Sequence, residues 1–197
     1  VATAGPLAAS TDTFTIVFRG RGGHGARPQD AIDPIVGLSA FVMAVQTLVS
    51  RRLDPGLPGV VTVGAVEAGR AANVIPEEAR ATGTIRATTP AARTLLCDGV
   101  RTLAISVAAT HGLRAEVTVS EGTPPLVNTD AAAGIAQEAT RARLGAPALR
   151  TLATANMGGE DFAFYTERMD GCFLRIGTLG AGRSAAGVHT PRFDPDE

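Results

Sequence analysis

The amino-acid sequence predicts a mixed α/β protein whose main body is a ferredoxin-like β-α-β-β-α-β sandwich. Three observations carry that expectation. Residues 13–19, 79–88 and 115–119 alternate between apolar and polar side chains; two long segments between them repeat apolar residues at spacings of three and four; and Gly/Pro clusters punctuate the junctions. Two helices on one face of an antiparallel sheet satisfy that order.

The first strand places Phe14, Ile16 and Phe18 on one side and Thr13, Thr15, Val17 and Arg19 on the other, the period-2 pattern of a half-buried strand. It runs into a glycine-rich turn, Gly20 to Gly25, that contains His24. Asp33-Pro34 then offers an N-cap and a proline at the first helical position, followed by Ile35, Leu38, Val42, Val45 and Val49. This predicts a helix of about 17 residues, closed by Arg51 and Arg52 at its negative end. After a Pro/Gly turn at 55–59, the β-branched run 60–66 predicts a second strand. The third, 79–88, puts Ala79, Ala81, Gly83, Ile85 and Ala87 on one face against Arg80, Thr82, Thr84, Arg86 and Thr88 on the other.

Thr89-Pro90 opens a second helix with Leu96, Val100, Leu103 and Val107 on one stripe and a glycine C-cap at His111-Gly112. The fourth strand is 115–119, and residues 121–125, EGTPP, read as a boundary linker. Beyond it the pattern predicts an alanine-rich helix at 129–143, a short extended piece at 149–153, a loop at 156–162, a strand at 172–177 and a glycine-rich run to His189. These pieces are too few to close a core of their own. The expected division is therefore a remnant or linker at 1–12, the ferredoxin-like unit at 13–122 and a partial α/β unit at 123–197.

The chain has 197 residues, 45% hydrophobic and 19% charged, which excludes global disorder. All 18 basic residues are arginine, scattered and balanced by 19 acids, so no basic stripe tracks a phosphate backbone and nucleic acid is not an expected partner. Two well-separated cysteines, Cys97 and Cys172, give neither a disulfide scaffold nor a cysteine zinc site. With no apolar run near the roughly 20 residues that span a bilayer and no signal-peptide pattern at the start, no membrane partner and a cytoplasmic location are expected.

Each of the three histidines has two readings. His24 is either an exposed loop residue or a ligand-facing one, since flanking glycines allow close approach. His111 at a helix C-terminus reads as structural. His189, after Gly180, Gly182 and Gly187 and before Thr190-Pro191, is a metal ligand or a turn residue. Arg80 and Arg86 lie on a polar sheet face, solvated or substrate-binding. Asn73 caps a turn or serves a site, and Glu160 and Asp161 form an acidic pair in a glycine loop.

Together the strings GRGGHGARPQDAIDPI at 20–35, ANVIPEEARATGTIR at 72–86, NMGGEDFAFY at 156–165 and VHTPRFDPDE at 188–197 resemble the successive signatures of the zinc-dependent aminoacylase/carboxypeptidase superfamily. Within it they look like the amidohydrolase branch of hippurate hydrolases and N-acyl-amino-acid amidohydrolases. The resemblance covers nearly the whole chain. It implies a catalytic α/β domain with two divalent ions, zinc or alternatively Mn, Co or Ni, interrupted by a ferredoxin-like lid through which the protein forms a homodimer. It implies that His24 reaches the partner subunit's active site and stabilises the oxyanion of the tetrahedral intermediate. By the same resemblance Asn73 points at the substrate, Arg86 meets its carboxylate, Glu160 stands beside the metals and His189 is the last metal ligand. Gln29 follows Pro28 where this branch often has a second histidine.

The expected substrate is an N-acyl amino acid, cleaved by a metal-activated water with a glutamate as general base. In the resemblance that glutamate and the other metal ligands precede the lid, so the isolated chain is expected to be inactive and to hold no stable bimetal site. The alternatives are a non-catalytic dimerisation or small-ligand-binding module and an amino-acid-sensing regulatory domain.

Overall fold

The computed structural model describes residues 1–177 and 190–193. Its elements are β1 (Gly5–Ala8), β2 (Asp12–Arg19), β3 (Gly23–His24), α1 (Pro34–Thr47), β4 (Gly59–Ala68), β5 (Val74–Ile75), β6 (Glu78–Ala87), α2 (Pro90–Thr110), β7 (Arg114–Ser120), β8 (Leu126–Asn128), α3 (Asp130–Leu144) and the single turn α4 (Ala163–Thr166).

Strands β4, β6, β2 and β7 lie side by side in that order, all antiparallel, with α1 and α2 on one face. This is the ferredoxin-like arrangement the alternation predicts. Its helices start where the caps were expected: the Asp33 carboxylate accepts from the Ile35 N–H at 2.8 Å and the Thr89 hydroxyl from the Ala92 N–H at 3.2 Å. A π-turn, Leu48–Arg52, extends α1 before Leu53 turns the chain back. The stretch Pro34–Arg52 is long and apolar enough to cross a membrane by length and composition alone. Leu38, Phe41, Val45 and Leu48 are nevertheless buried against the sheet, which makes it a core helix with an apolar inner stripe.

The inward phase of each strand supplies the rest of that core. Phe14, Ile16, Phe18, Ile85 and Ala81 meet Phe41 and Val100 from the helices, with the Phe14 and Phe18 rings 6.4 and 6.0 Å from that of Phe41. Gly83 completes it by absence: a Cβ there would lie 2.3 Å from the Phe14 ring.

A second, smaller cluster joins Leu7, Ala8, Leu126 and Ala163, flanked by Leu152, Phe162 and Phe173. It rests on β1 paired antiparallel with β8, a two-stranded sheet that the sequence does not announce because the whole sandwich lies between the two strands. The strand expected at 172–177 does not form, and the short extended piece expected at 149–153 pairs with no strand. Their backbone groups find other partners: the Leu152 N–H donates to the Thr3 hydroxyl, the Phe173 N–H and C=O both bond the Asn128 side chain, and the Arg175 N–H donates to the Val1 carbonyl. With no neighbouring strand to pair with, an alternating run stays irregular.

Candidate functional site

The turn at Gly20–Gly25 is more ordered than glycine content alone predicts. Arg21 and Ile32 exchange backbone hydrogen bonds at 3.0 and 2.9 Å, and the Gly20 N–H donates to the Glu77 carbonyl at 2.9 Å. A Cβ on Gly20 would sit 2.1 Å from the Ile32 carbonyl oxygen, so only glycine lets the two backbones close the loop. Within it β3 pairs with β5, His24 opposite Val74, and the Gly25 N–H donates to the Asn73 carbonyl at 2.8 Å. His24 and Asn73, far apart in sequence, thus share one exposed tip of the molecule. Asn73 precedes its own two-residue strand rather than entering β6, because Pro76 interrupts the ladder.

The Ala26 N–H donates to His24 Nδ1 at 3.0 Å. An imidazole whose Nδ1 accepts carries its proton on Nε2, so the ring presents one outward N–H donor. The Asn73 side chain makes no hydrogen bond among the described residues and is free to engage a ligand beside it.

Arg86 lies elsewhere. It is the penultimate residue of β6, half-buried, on the sheet face opposite the helices, and it has no ion pair among the described residues. The tip is tied to the other end of that strand through Glu77, so eight residues at about 3.3 Å each put Arg86 on the order of 25 Å along β6 from the point where the tip is attached. Arg80, on the same face, sits nearer the tip and is exposed.

Glu160 belongs to the Arg86 end. Its loop is fastened to the residues that follow β1: the Ala9 N–H donates to the carbonyls of Asn156 and Gly158 at 2.9 and 3.1 Å. The Asn156 carboxamide oxygen accepts from the Gly158 N–H, shaping the glycine turn that leads to the half-buried Glu160. His189 lies outside the described residues. His111 caps α2 as expected, its N–H donating to the Val107 and Ala108 carbonyls.

Sequence reasoning missed two participants. Arg70 stands on the loop between β4 and β5 beside the tip, exposed and without an ion pair among the described residues. Asp12, in the buried phase of β2, is wholly enclosed and paired with Arg93. The signal for Asp12 was a carboxylate at an inward position of an alternating strand.

Residues 10–110 match the family described as the peptidase dimerisation domain of the M20 peptidases. N-acetylcysteine deacetylase of Bacillus subtilis (strain 168) is 37% identical over 193 residues, covering 98% of this chain and 49% of that protein. IAA-amino acid hydrolase ILR1-like 2 of Arabidopsis thaliana is 36% identical over 198 residues, covering 98% and 44%. The chain thus spans about half the length of the relatives it matches. Among solved structures, one from methicillin resistant Staphylococcus aureus superposes with a TM-score of 0.91 at 27% identity, over 99% of this chain and 50% of that one. The YXEP protein of Bacillus subtilis, described as a dinuclear metal binding peptidase from the M20 family, superposes with a TM-score of 0.78 at 33% identity, over 98% and 47%. The glycine-framed histidine, its asparagine neighbour and the sandwich that carries them therefore sit in a chain that belongs to the M20 peptidase family.

Proposed function

We propose that this chain is the lid and the carboxy-terminal part of the catalytic domain of a metal-dependent amidohydrolase, acting in the cytoplasm on N-acyl amino acids of the hippurate type, with active sites completed across a homodimer. The observation that carries the reading is the separation of roles along β6: His24 and Asn73 sit on the small β3–β5 sheet tied near its first residue, and Arg86 and the Glu160 loop stand at its other end, on the order of 25 Å along the strand. One small substrate spans that distance in no single chain. Two copies related by a twofold axis bring the tip of one to the Arg86 end of the other.

In that arrangement the His24 Nε2–H donates to the oxygen that becomes the oxyanion, a bond that strengthens as charge develops. The Asn73 carboxamide donates alongside it. Arg86 takes the substrate carboxylate with its planar two-pronged guanidinium. Glu160 borders the reacting centre from the loop after Asn156. The names of the relatives, a deacetylase and an amino acid hydrolase, support the reaction class.

For metal, the described residues do not fit: they contain no group of three or more His, Cys, Asp or Glu able to hold an ion. Two divalent ions, zinc or Mn, Co or Ni, and His189 as a ligand remain part of the proposed whole enzyme, and the isolated chain is expected to hydrolyse nothing when supplied with zinc or manganese. The dimer surface is equally a proposal. β4 leaves one edge of the sheet unpaired, and Val60 and Val66 on that strand are exposed, as are Val36 and Met43 on α1.

The test is complementation, with this segment expressed behind the amino-terminal catalytic segment of a relative. His24→Ala is expected to lower kcat about 100- to 1,000-fold, and Arg86→Ala to raise KM for N-acyl amino acids. Mixing the two variants, assayed at substrate far below the raised KM of Arg86→Ala, should restore about a quarter of wild-type activity, because half of the dimers are mixed and each holds one intact site. A mixture no better than its parents rejects the shared site, and turnover untouched by His24→Ala favours a non-catalytic module.

A further inference from the structure

Among the described residues, two stretches of chain join the sandwich to the smaller β1–β8 sheet: residues 9–11 going in and 121–125 coming out. Both are locked, and to each other. The Thr11 N–H donates to the Thr123 carbonyl at 3.0 Å, the Thr123 N–H to the Thr11 hydroxyl at 3.1 Å, and the two hydroxyls lie 2.8 Å apart. A Cβ on Gly122 would lie 1.9 Å from the Thr11 carbonyl oxygen, and one on Gly159 would lie 2.0 Å from the Thr11 methyl, so both glycines are what allow this closeness.

At the centre of the junction is a charge. The Asp12 carboxylate has no solvent exposure. Arg93, in the first turn of α2, approaches it with two nitrogens, Nη2 at 2.6 Å from Oδ1 and Nε at 3.0 Å from Oδ2. The second crossing completes the set: the Gly122 N–H donates to Asp12 Oδ1 at 3.1 Å, and Arg93 Nη2 donates to the Gly122 carbonyl at 3.4 Å. Glu121 lies 3.7 Å from the same nitrogen. One ion pair thus fastens the incoming strand, the outgoing strand and a helix.

A buried pair of this kind adds little net stability over apolar packing, but it is directional, and breaking it is costly. Its location gives that direction a use. Asp12 pairs with Ile85, and Ser10 exchanges hydrogen bonds with Ala87, its N–H donating to the carbonyl at 2.8 Å and its hydroxyl accepting at 3.2 Å. These are the two neighbours of Arg86.

We propose that Asp12 and Arg93 form a latch that sets the angle between the sandwich and the smaller sheet, and that they are thereby positioning residues for Arg86. The latch stands on the geometry alone; its consequence for substrate rests on the reading of Arg86 given above.

The experiment uses the 197-residue chain with spin labels at Ile105→Cys on α2 and Ile135→Cys on α3, both exposed, in a background lacking the two native cysteines, diluted with unlabelled chain. The unlatched variants are Arg93→Lys, which keeps the charge and loses the fork, and the neutral pair Asp12→Asn with Arg93→Gln. The latch predicts one narrow distance distribution in the parent and a distribution broadened by several ångström in both variants. Amide exchange at Thr11, Gly122 and Thr123 should be accelerated at least tenfold while β2 and β6 stay protected. An unchanged distribution in both variants overturns the latch. So does loss of protection throughout the sandwich in both, which makes the pair a core element. In the complementation enzyme, Arg93→Lys should raise KM for carboxylate-bearing substrates with kcat retained. If the distances broaden and KM does not move, the latch stands and its positioning of Arg86 is rejected, whereas an Arg86→Ala enzyme with unaltered KM rejects the Arg86 reading itself.

Discussion

A single backbone N–H decides what His24 can offer. Because Ala26 donates to Nδ1, the proton is on Nε2 and the ring is an outward donor without needing a positive charge. The GHG string made His24 a candidate but could not show this, since the bond depends on a tight turn held by Asn73 and Ile32. Cys97 makes the converse point. It is 7% exposed, and burial, reinforced by the nearby Asp12 charge, raises its thiol from 9.0 to about 11. The unfolded chain releases that proton first, so between about pH 9 and 11 the unfolded state binds fewer protons and stability falls as pH rises. Denaturant midpoints measured across that window should fall more steeply for the wild type than for Cys97→Ala; parallel profiles would show that the thiol does not titrate differently on folding. At neutral pH the same thiol should resist alkylation in the folded protein.

Elements with a long, consistent period were legible. Alternation in β2 and β6 and the caps at Asp33 and Thr89 are local properties, and the structure keeps each within a residue or two. What failed was short or conditional. β3 and β5 have two residues each, too few for a pattern, and the run at 172–177 lacked a partner strand. Gly83 belongs to this scale. It interrupts a strand, where glycine usually costs stability, yet here it makes room for the Phe14 ring and the Thr62 carbonyl, which a Cβ would approach to 2.3 and 2.1 Å. Gly83→Ala is therefore expected to destabilise the sandwich by about 1–3 kcal/mol, as overpacking does. Urea denaturation followed by circular dichroism measures this, and an unchanged midpoint would mean that Phe14 repacks freely.

At the scale of the whole molecule the two halves differ in how they are built. The sandwich has a deep core, whereas α3 buries only Ala133 and exposes Ile135 and Leu144. On the sandwich, β4 at an open sheet edge and α1 both carry exposed apolar residues. If that surface pairs two copies, Met43→Asp should weaken the dimer at least tenfold in sedimentation velocity over a concentration series, while melting of the sandwich is unchanged. An unaltered dissociation constant would move the interface elsewhere.

The sequence by itself determined the order and type of the main elements, the family, and the residues worth watching, because alternation, caps and motif strings are all encoded within a few neighbouring positions. Only the tertiary structure decided where those residues stand. His24 and Asn73 meet through a pairing between distant segments, and Arg86 is carried away from them at the far end of β6, in a different sheet. The buried Asp12 finds its counter-charge on a helix and its third bond on the second crossing. Strand pairing and charge burial join residues that share no local pattern, since the free energy that selects them comes from excluding water between parts of the chain far apart in sequence.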